Sequence, residues 1–479
     1  EIASCLVGSE MCIRDRLNTD IWQIQDNFLM NFGKHQITVG TQSDYRAFKN
    51  GFAQNYPGSW VFNSVDDFKF NVLATKQYMA AHNGSVQGFD IREFNPKDFD
   101  PKKWARLAKQ AGMKYAVLTA KHHDGFCLFD SALTDWKVTN TPYGKDIVRE
   151  YLDAFRAEGI KVGLYYSLLD WHHPDYPAYG DRQHPMRNNI TYKDKPYNFD
   201  NYLDYMHGQV RELCTNYGKL DMMWFDFSYD DLTGEAWRAS ELVRMVRSLQ
   251  PDIIIDNRLE VSGSGFGSIA TDEPLEYSGD YVSPEQIIPQ TGFKDSRGRN
   301  ICWEACITMN DNWGYCAKDK NFKPAEMIIK KLVECVSKNG NMLLNVGPDA
   351  RGNIPAESVE ILEKIGAWMQ KNSDSIYGCG GCDLPKPENG RITKNGKTLY
   401  YHIMENSIGG IPLQGISLDE VESIRLISDG TEIKPLKNWI VENYPDVVFV
   451  QVSNTVKLPD DIDTCLLYTS PSPRDKRQS

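Results

Sequence analysis

The sequence contains no long hydrophobic run. Nowhere do apolar residues reach the ~18 consecutive positions that a membrane-spanning helix needs, so no membrane partner is expected. It also has no excess of positive charge, because its 65 acidic residues outnumber its 53 basic ones and leave a net charge of −12. A protein that binds the nucleic-acid backbone needs basic patches, so no nucleic-acid partner is expected either.

Cysteine is scarce and scattered. Eleven cysteines are spread over 479 residues, and their odd number and spacing do not form a disulfide framework. Cys379 and Cys382 make a single CxxC motif without a second pair, which argues against a structural zinc site. No glycine-rich loop follows a first strand, which argues against nucleotide-binding folds. The sequence therefore predicts neither a metal nor a cofactor.

The two ends of the chain fit no neighbouring hydrophobic periodicity. Residues 1–16 contain the run CLVGSEMCIRDR, and residues 465–479 read CLLYTSPSPRDKRQS. Both resemble translated sequencing-adaptor read-through, and we exclude them from the fold prediction. The lack of a signal peptide in this chain is then uninformative about its compartment.

Residues 17–71 predict a β-hairpin of long strands. Apolar residues alternate with polar ones on either side of Gly33-Lys34, namely at Phe28, Met30, Phe32, Ile37 and Val39. The stretch resembles part of a TonB-dependent outer-membrane receptor, whose barrel strands alternate apolar and polar faces. We interpret it as a fragment fused to an unrelated gene; a β-domain native to the protein is the alternative.

From about residue 72 to residue 378, strands and helices alternate. Apolar runs predict strands at 115–120, 162–167, 220–226, 253–258 and 341–348. Between and after them, helical periodicity covers 100–111, 146–158, 203–217, 237–249, 327–336 and 359–369. This α/β pattern, with polar residues at successive strand ends, predicts a (β/α)8 TIM-like barrel; a doubly wound sheet is the competing fold.

After residue 378 the pattern changes to short strands and turns. Lys394-Asn395-Gly396-Lys397 is a strong hairpin signal, and 421–427 and 447–452 predict further strands. Residues 379–464 are therefore expected to form a small, truncated β-sandwich domain.

Reactive side chains follow several of the predicted strands. The apolar run that begins at Tyr115 changes abruptly to Lys121-His122-His123-Asp124-Gly125, a position that a parallel barrel places at its catalytic rim. A loop with surface-exposed histidines is the alternative. Asp226 ends another strand and could act as a nucleophile. Glu285 lies in a loop expected to overhang the same rim, where it could act as acid and then base.

Two such carboxyls about 5 Å apart around an anomeric carbon would define a retaining glycosidase. Donors that could hold sugar hydroxyls are His122, His123, Tyr165, Trp224 and Arg258. A metal-dependent hydrolase built on His122, His123, His172 and His173 is less favoured, because adjacent side chains on a strand point to opposite faces.

Several sequence blocks occur together in one known family. They include Phe94-Asn95-Pro96, His122-His123-Asp124-Gly125-Phe126, Tyr165-Tyr166-Ser167, Trp313-Gly314-Tyr315 and Leu343-Leu344-Asn345-Val346-Gly347-Pro348. With these blocks, residues 72–460 resemble the α-L-fucosidases of glycoside hydrolase family 29. The resemblance implies a retaining double displacement on fucosylated glycans, without a metal or cofactor, in a secreted or periplasmic enzyme.

The resemblance also implies roles for single residues. Asp226 matches the family nucleophile in a Trp-x-Asp motif, and Glu285 matches the acid/base, with Glu304 as its rival. The positions that match fucose contacts are His122, His123, Tyr165, Trp224 and Arg258.

The sequence departs from the family near its start. The usual first barrel strand, which ends in Phe-x-His-Trp-Gly, is absent, and Gln77-Tyr78 stands near the place of an expected Glu-Trp pair. We therefore expect a barrel that lacks its first strand and has an open seam with unpaired backbone groups. An inactive remnant that at most binds fucose is the alternative function.

Overall fold

The computed structural model describes three N-terminal strands and residues 91–469, apart from residues 263–264, 438, 440 and 456. The N-terminal strands are β1 (Asn18–Phe32), β2 (His35–Asn50) and β3 (Trp60–Phe62). β1 and β2 pair antiparallel from Asn18 opposite Lys49 to Phe32 opposite His35. The predicted hairpin of long strands is therefore present, while its origin in a receptor stays a prediction.

Helices and strands alternate from residue 101 to residue 372, as the periodicity predicts, except that the described residues form no α-helix between 250 and 302. The helices are α1 (Pro101–Gln110), α2 (Ile147–Ala157), α3 (Phe199–Asn216), α4 (Ala239–Leu249), α5 (Ala325–Val336) and α6 (Ala356–Asn372). The strands are β4 (Tyr115–Lys121), β5 (Lys161–Ser167), β6 (Met222–Asp226), β7 (Ile254–Ile255), β8 (Trp303–Thr308) and β9 (Gly340–Asn345).

Capping residues start the helices where the sequence indicates. The Asp100 side chain accepts a hydrogen bond from the backbone N–H of Lys103, and Pro101 occupies the first turn of α1. Asp146 caps α2 in the same way through the N–H of Arg149. Each cap satisfies one of the backbone donors that a helix start leaves without an intrahelical partner.

The strands of this region follow one another in chain order. Parallel pairing joins β4, β5, β6 and β7, and it also joins β8 and β9. Residues 281–285 connect the two groups through parallel bridges from Tyr281 to Asp256 and from Val282 to Trp303. The result is a continuous arc from β4 to β9, whereas a doubly wound sheet would reverse its strand order partway.

The first and last helices of the arc are in contact, whereas its first and last strands are not paired. α1 packs on α6, because Leu107 and Ala111 share a core with Ile361 and Ile365. Within the described residues, however, no strand pairing joins β4 to β9. A cavity of about 1040 Å³ is lined by both strands and by the inner faces of the helices. We call this gap between β4 and β9, in which no described strand lies, the seam; Gln77 and Tyr78 lie outside the described residues.

The C-terminal strands form two antiparallel sheets around one core. β10 (Gly390–Asn395), β11 (Thr398–Ile403), β15 (Thr464–Thr469) and β13 (Ser423–Leu426) make one sheet, and β12 (Ile411–Gln414) and β14 (Val447–Val450) make the other. The predicted hairpin turn is present, since Asn395 pairs with Thr398.

The structure differs from the sequence-based assignment at one boundary and at one strand. The boundary expected at residue 465 falls inside β15, where Cys465 and Leu466 are buried in the middle of the sheet. The segment Cys-Leu-Leu-Tyr-Thr is a short apolar run, which suits a buried strand inside a sheet, whatever its origin. β8 is not predicted, because Glu304 interrupts its apolar pattern. Among the residues described, no helix combines the length and the apolar character that crossing a membrane requires.

Candidate active site

The candidate residues meet at the carboxyl ends of the arc strands. Asp226 is the last residue of β6, and Trp224 lies two residues earlier on the same strand. Tyr165 lies on the neighbouring strand β5, directly opposite Trp224 in the parallel register. Carboxyl ends of parallel strands meet at one edge, so residues far apart in the chain converge there.

Arg258 joins the two candidate catalytic carboxylates. Its Nη1 atom lies 3.0 Å from Oδ1 of Asp226 and 3.0 Å from Oε2 of Glu285, and Nη2 donates to the carbonyl oxygen of Ser283 at 3.0 Å. Because both carboxylate oxygens lie at that distance from one nitrogen, they are separated by at most twice that length. The Arg258 side chain is 3% exposed and that of Glu285 32%, so only Glu285 reaches toward solvent.

Both oxygens of the Asp226 carboxylate are held by neighbouring donors. The Tyr165 hydroxyl donates to Oδ2 at 3.0 Å, while Arg258 and the Ser262 hydroxyl, at 3.4 Å, approach Oδ1. Asp226 itself is only 1% exposed. A buried charge is tolerated when it is paired and hydrogen-bonded, and this carboxylate is oriented as well as compensated.

Four side chains form a stacked wall beside these carboxylates. The Arg258 guanidinium lies 4.4 Å from the centre of the Trp224 ring. Trp224 stacks on Tyr165 at 5.3 Å, and Tyr165 stacks on His122 at 5.6 Å. Burial lowers the pKa of His122 to about 4 despite the nearby Asp226, so the imidazole is neutral at neutral pH. A neutral imidazole can both donate and accept a hydrogen bond.

The structure places His123 behind this wall. Its ring lies 3.7 Å from that of His122 and 3.9 Å from that of Trp171, and it is fully buried. Burial, with His122 and Lys121 nearby, lowers its pKa well below the ordinary value. The expectation that adjacent histidines point to opposite faces fails here, because β4 ends at Lys121 and strand alternation stops there.

The four histidines weighed for a metal do not form one group. His172 stacks instead on Trp136, with ring centres 4.4 Å apart. Across the part of the chain that the structure describes, no three His, Cys, Asp or Glu side chains are arranged to hold a metal ion.

Glu304 lies deeper than Glu285. The Tyr115 hydroxyl and the Trp224 indole N–H, the latter at 3.3 Å, donate to its two carboxylate oxygens. It is 3% exposed, and burial raises the pKa of its carboxyl against the opposing effect of these donors. Glu304 therefore holds Trp224 in place through its indole N–H. Glu285 instead lines the cavity, together with His122, Tyr165, Trp224 and Arg258.

Sequence reasoning did not identify the contacts that hold the rim loops. The Lys121 ammonium lies 3.3 Å from Asp170 inside the protein. Asp170 Oδ1 also accepts hydrogen bonds from the backbone N–H groups of His172 and His173, each at 2.9 Å. Tyr115 and Ser262 were missed as well, because no local pattern marks a tyrosine or serine as the partner of a distant carboxylate.

The chain matches the family model described as α-L-fucosidase over residues 40–374. It is 29% identical to the α-L-fucosidase of Dictyostelium discoideum over 337 residues, 68% of this chain and 67% of that protein. It is 28% identical to the plasma α-L-fucosidase of Homo sapiens over 306 residues, 60% of this chain and 58% of that protein. The chain thus spans roughly three fifths to two thirds of the length of these relatives.

Solved structures are similar over more of the chain. Isoenzyme 1 of the α-L-fucosidase from Paenibacillus thiaminolyticus is 57% identical, with a TM-score of 0.77 over 80% of this chain and 89% of that one. A family 29 α-L-fucosidase from Bacteroides thetaiotaomicron, trapped as a covalent intermediate with 2-fluoro-fucosyl fluoride, is 27% identical, with a TM-score of 0.68 over 85% of this chain and 88% of that one.

The family match begins at residue 40, inside β2 and earlier than the boundary expected at residue 72. It includes every candidate site residue from His122 to Glu304. Because the match covers more than half of the chain, the chain belongs to the α-L-fucosidase family.

Proposed function

We propose that this chain is a retaining α-L-fucosidase that hydrolyses terminal α-L-fucose from glycans. The observation that carries the proposal is Arg258, which contacts Asp226 and Glu285 with a single nitrogen. Retaining glycosidases hold two carboxyl groups roughly 5–5.5 Å apart, and the separation allowed by this arrangement includes that range.

The two carboxylates would act in two steps. Asp226 attacks the anomeric carbon while Glu285, in its acid form, protonates the leaving glycosidic oxygen, which gives a covalent fucosyl-enzyme. Glu285 then takes a proton from water, the water oxygen bonds to the anomeric carbon, and Asp226 leaves as a carboxylate. Burial and three donors suit Asp226 to a fixed nucleophile, and partial exposure suits Glu285 to proton exchange.

The stacked wall would bind the sugar. His122, Tyr165, Trp224 and Arg258 line the cavity and present ring faces with hydrogen-bonding edges, a combination that suits a sugar ring and its hydroxyls. His123 would not touch the sugar itself but would hold the ring of His122, which it contacts. Glu304, the rival acid/base, is enclosed by Tyr115 and Trp224, so Glu285 is the better candidate.

We also propose that residues 72–378 form a TIM-like barrel without its first strand, followed by the C-terminal sandwich. The chain-order arc and the packing of α1 on α6 across the seam support this interpretation. A secreted or periplasmic location follows from family resemblance. The missing first strand was the reason to consider an inactive remnant. Asp226, Arg258 and Glu285 are nevertheless in contact with one another, and none of them lies on a strand that borders the seam.

The test replaces the nucleophile. Asp226→Ala should lower turnover of an aryl α-L-fucoside by several orders of magnitude, roughly 4–8 kcal/mol of barrier. Azide should restore part of the turnover and yield the fucosyl azide of inverted configuration. Asp252→Ala removes a surface aspartate that is 78% exposed and should have no effect. Undiminished turnover in Asp226→Ala would exclude the assigned nucleophile.

A thermal-shift titration of the unaltered chain with fucose tests the alternative. Binding to the native state raises Tm by mass action. A raised Tm without turnover would indicate a fucose-binding remnant instead of an enzyme.

A further inference from the structure

The backbone turns sharply directly after Asp226. Phe227 has φ of +78°, a left-handed conformation that is uncommon for a residue with a side chain and strained for a bulky one. The residue is buried, so its conformation is not a feature of a free surface loop. Such a conformation persists only when the surroundings hold it in place.

Ser262 supplies contacts that hold this turn. Its hydroxyl oxygen accepts hydrogen bonds from the backbone N–H of Phe227 at 3.1 Å and of Ser228 at 3.0 Å. Its own backbone N–H donates to the carbonyl oxygen of Ser228 at 2.8 Å. The side chain is 2% exposed, so water has little access to replace these bonds.

The same hydroxyl has one proton left to donate. A serine hydroxyl has two acceptor lone pairs and one donor, and the two N–H groups occupy the acceptor side. The donor then has two acceptors within reach: Oδ1 of Asp226 at 3.4 Å and the carbonyl oxygen of Arg258 at 3.3 Å.

We propose that Ser262 is a positioning residue for the nucleophile. It fixes the strained turn at Phe227 and donates to Asp226 while that carboxylate is charged. When Asp226 becomes an ester and loses its charge, the hydroxyl turns to the carbonyl oxygen of Arg258. This role rests on the proposed function, since it assumes that Asp226 attacks the sugar.

Ser228 provides a matched control. Its hydroxyl donates to the carbonyl oxygen of Leu259 at 2.8 Å, and it is fully buried like Ser262. The two serines tie the same two loops together, but among their hydrogen bonds only those of Ser262 include the Asp226 carboxylate. Removing either hydroxyl should lower the stability, more so for Ser262 because two buried N–H groups lose their acceptor, while only the removal at Ser262 should change the nucleophile.

The kinetic test compares Ser262→Ala with Ser228→Ala. We expect Ser262→Ala to lower kcat/KM about 10- to 100-fold, the range for a hydrogen bond to a charged group, with the loss in kcat and little change in KM. The acidic limb of its pH–rate profile should move to higher pH, because the charged nucleophile has one hydrogen-bond donor fewer. Ser228→Ala should change kcat/KM by less than about threefold and leave the profile in place.

A spectroscopic test works without turnover. The carboxylate stretching band of Asp226, isolated by difference infrared spectroscopy against Asp226→Asn, should shift in Ser262→Ala and stay in place in Ser228→Ala. If Ser262→Ala does not fold, Ser262→Cys keeps a similar size with a much weaker donor and should shift the band in the same direction.

Equal bands in the Ser262 and Ser228 variants would overturn the proposal, as would activity losses that simply follow the loss of Tm in both. If the unaltered chain shows no turnover, the proposed function fails, and the infrared comparison still decides whether Ser262 holds the carboxylate.

Discussion

The middle of the strand arc and its two ends are built differently. In β5, six of seven residues are buried, and β6 and β8 are nearly as enclosed. In β4, only Ala120 and Lys121 are buried, and in β9 only Gly340. The outer helices cover both regions, so the difference comes from strand neighbours: within the residues that the structure describes, β4 and β9 each pair with a strand on one side only.

The candidate catalytic residues lie in the middle of the arc, away from the seam. Asp226 ends β6, Arg258 follows β7 and Glu285 ends the 281–285 segment, and all three elements lie in the interior of the arc. Of the cavity-lining wall, His122 alone follows an end strand, β4. A missing strand at the seam would therefore reduce stability and leave an exposed edge before it disturbed the paired charges.

After the loss of the nucleophile, the largest expected effect contrasts Glu285 with Glu304, two acids near the same arginine. Glu285→Gln should lower kcat/KM about 10²- to 10⁴-fold on a fucoside with a poor leaving group, and much less on one with a good leaving group. Glu304→Gln should cause a smaller loss that does not depend on the leaving group, because Glu304 supports Trp224. The measurement is kcat/KM across a series of aryl fucosides. A leaving-group dependence in Glu304→Gln alone would reverse the assignment.

The second effect compares one leucine on each side of the same strand pair. Leu164 on β5 is fully buried, and Leu118, its register partner on β4, is partly exposed to the seam. Leu164→Ala should lower the free energy of unfolding by about 2–5 kcal/mol, and Leu118→Ala by about 1 kcal/mol. Urea unfolding with matched m-values measures both. Equal losses would show that the seam is packed as tightly as the interior.

A third effect depends on pH and acts within the C-terminal sandwich, where β11 carries His402. His402 and Asp463 form a fully buried pair at 2.6 Å, and His402 also contacts Thr393, whose hydroxyl donates to the carbonyl oxygen of Ser375. Burial lowers the pKa of His402, but the Asp463 carboxylate outweighs it and raises the value from 6.5 to about 10. A raised pKa contributes stability that is fully present below pH 6.5 and lost as pH rises through about 10.

Urea unfolding at several pH values between 6 and 10 tests this coupling. The free energy of unfolding of the unaltered chain should fall across this window. The double variant His402→Gln/Asp463→Asn, which removes both charges, should show a flatter dependence. Parallel curves for the two proteins would contradict the expected role of the pair.

The smallest effect concerns the exposed edge. Thr119→Lys on β4 should change the free energy of unfolding by no more than about 0.5 kcal/mol, because Thr119 is exposed. It should nevertheless reduce concentration-dependent association, since a charge on an edge strand opposes pairing with another chain. Light scattering over a range of concentrations measures this, with Lys161→Thr, an exposed change on β5, as the control.

Local signals in the sequence determined much of the architecture. The helices predicted at 100–111 and 146–158 begin after the capping residues Asp100 and Asp146, Asp226 ends a strand, and the Asn395-Gly396 turn closes a hairpin. These features depend on neighbours a few residues away, and capping, periodicity and turn chemistry act over that distance. The short β7 and the missed β8 show where local pattern fails, since one is too brief and the other contains a buried acid.

Only the tertiary structure decided how the site is assembled. Arg258 lies 32 residues from Asp226 and 27 from Glu285, and Tyr115 lies 189 residues from Glu304. Periodicity places each residue at a strand end, but burial and pairing depend on which strands become neighbours. For that reason the sequence supplied both candidate glutamates, and the fold alone put one in the cavity and the other beneath the wall.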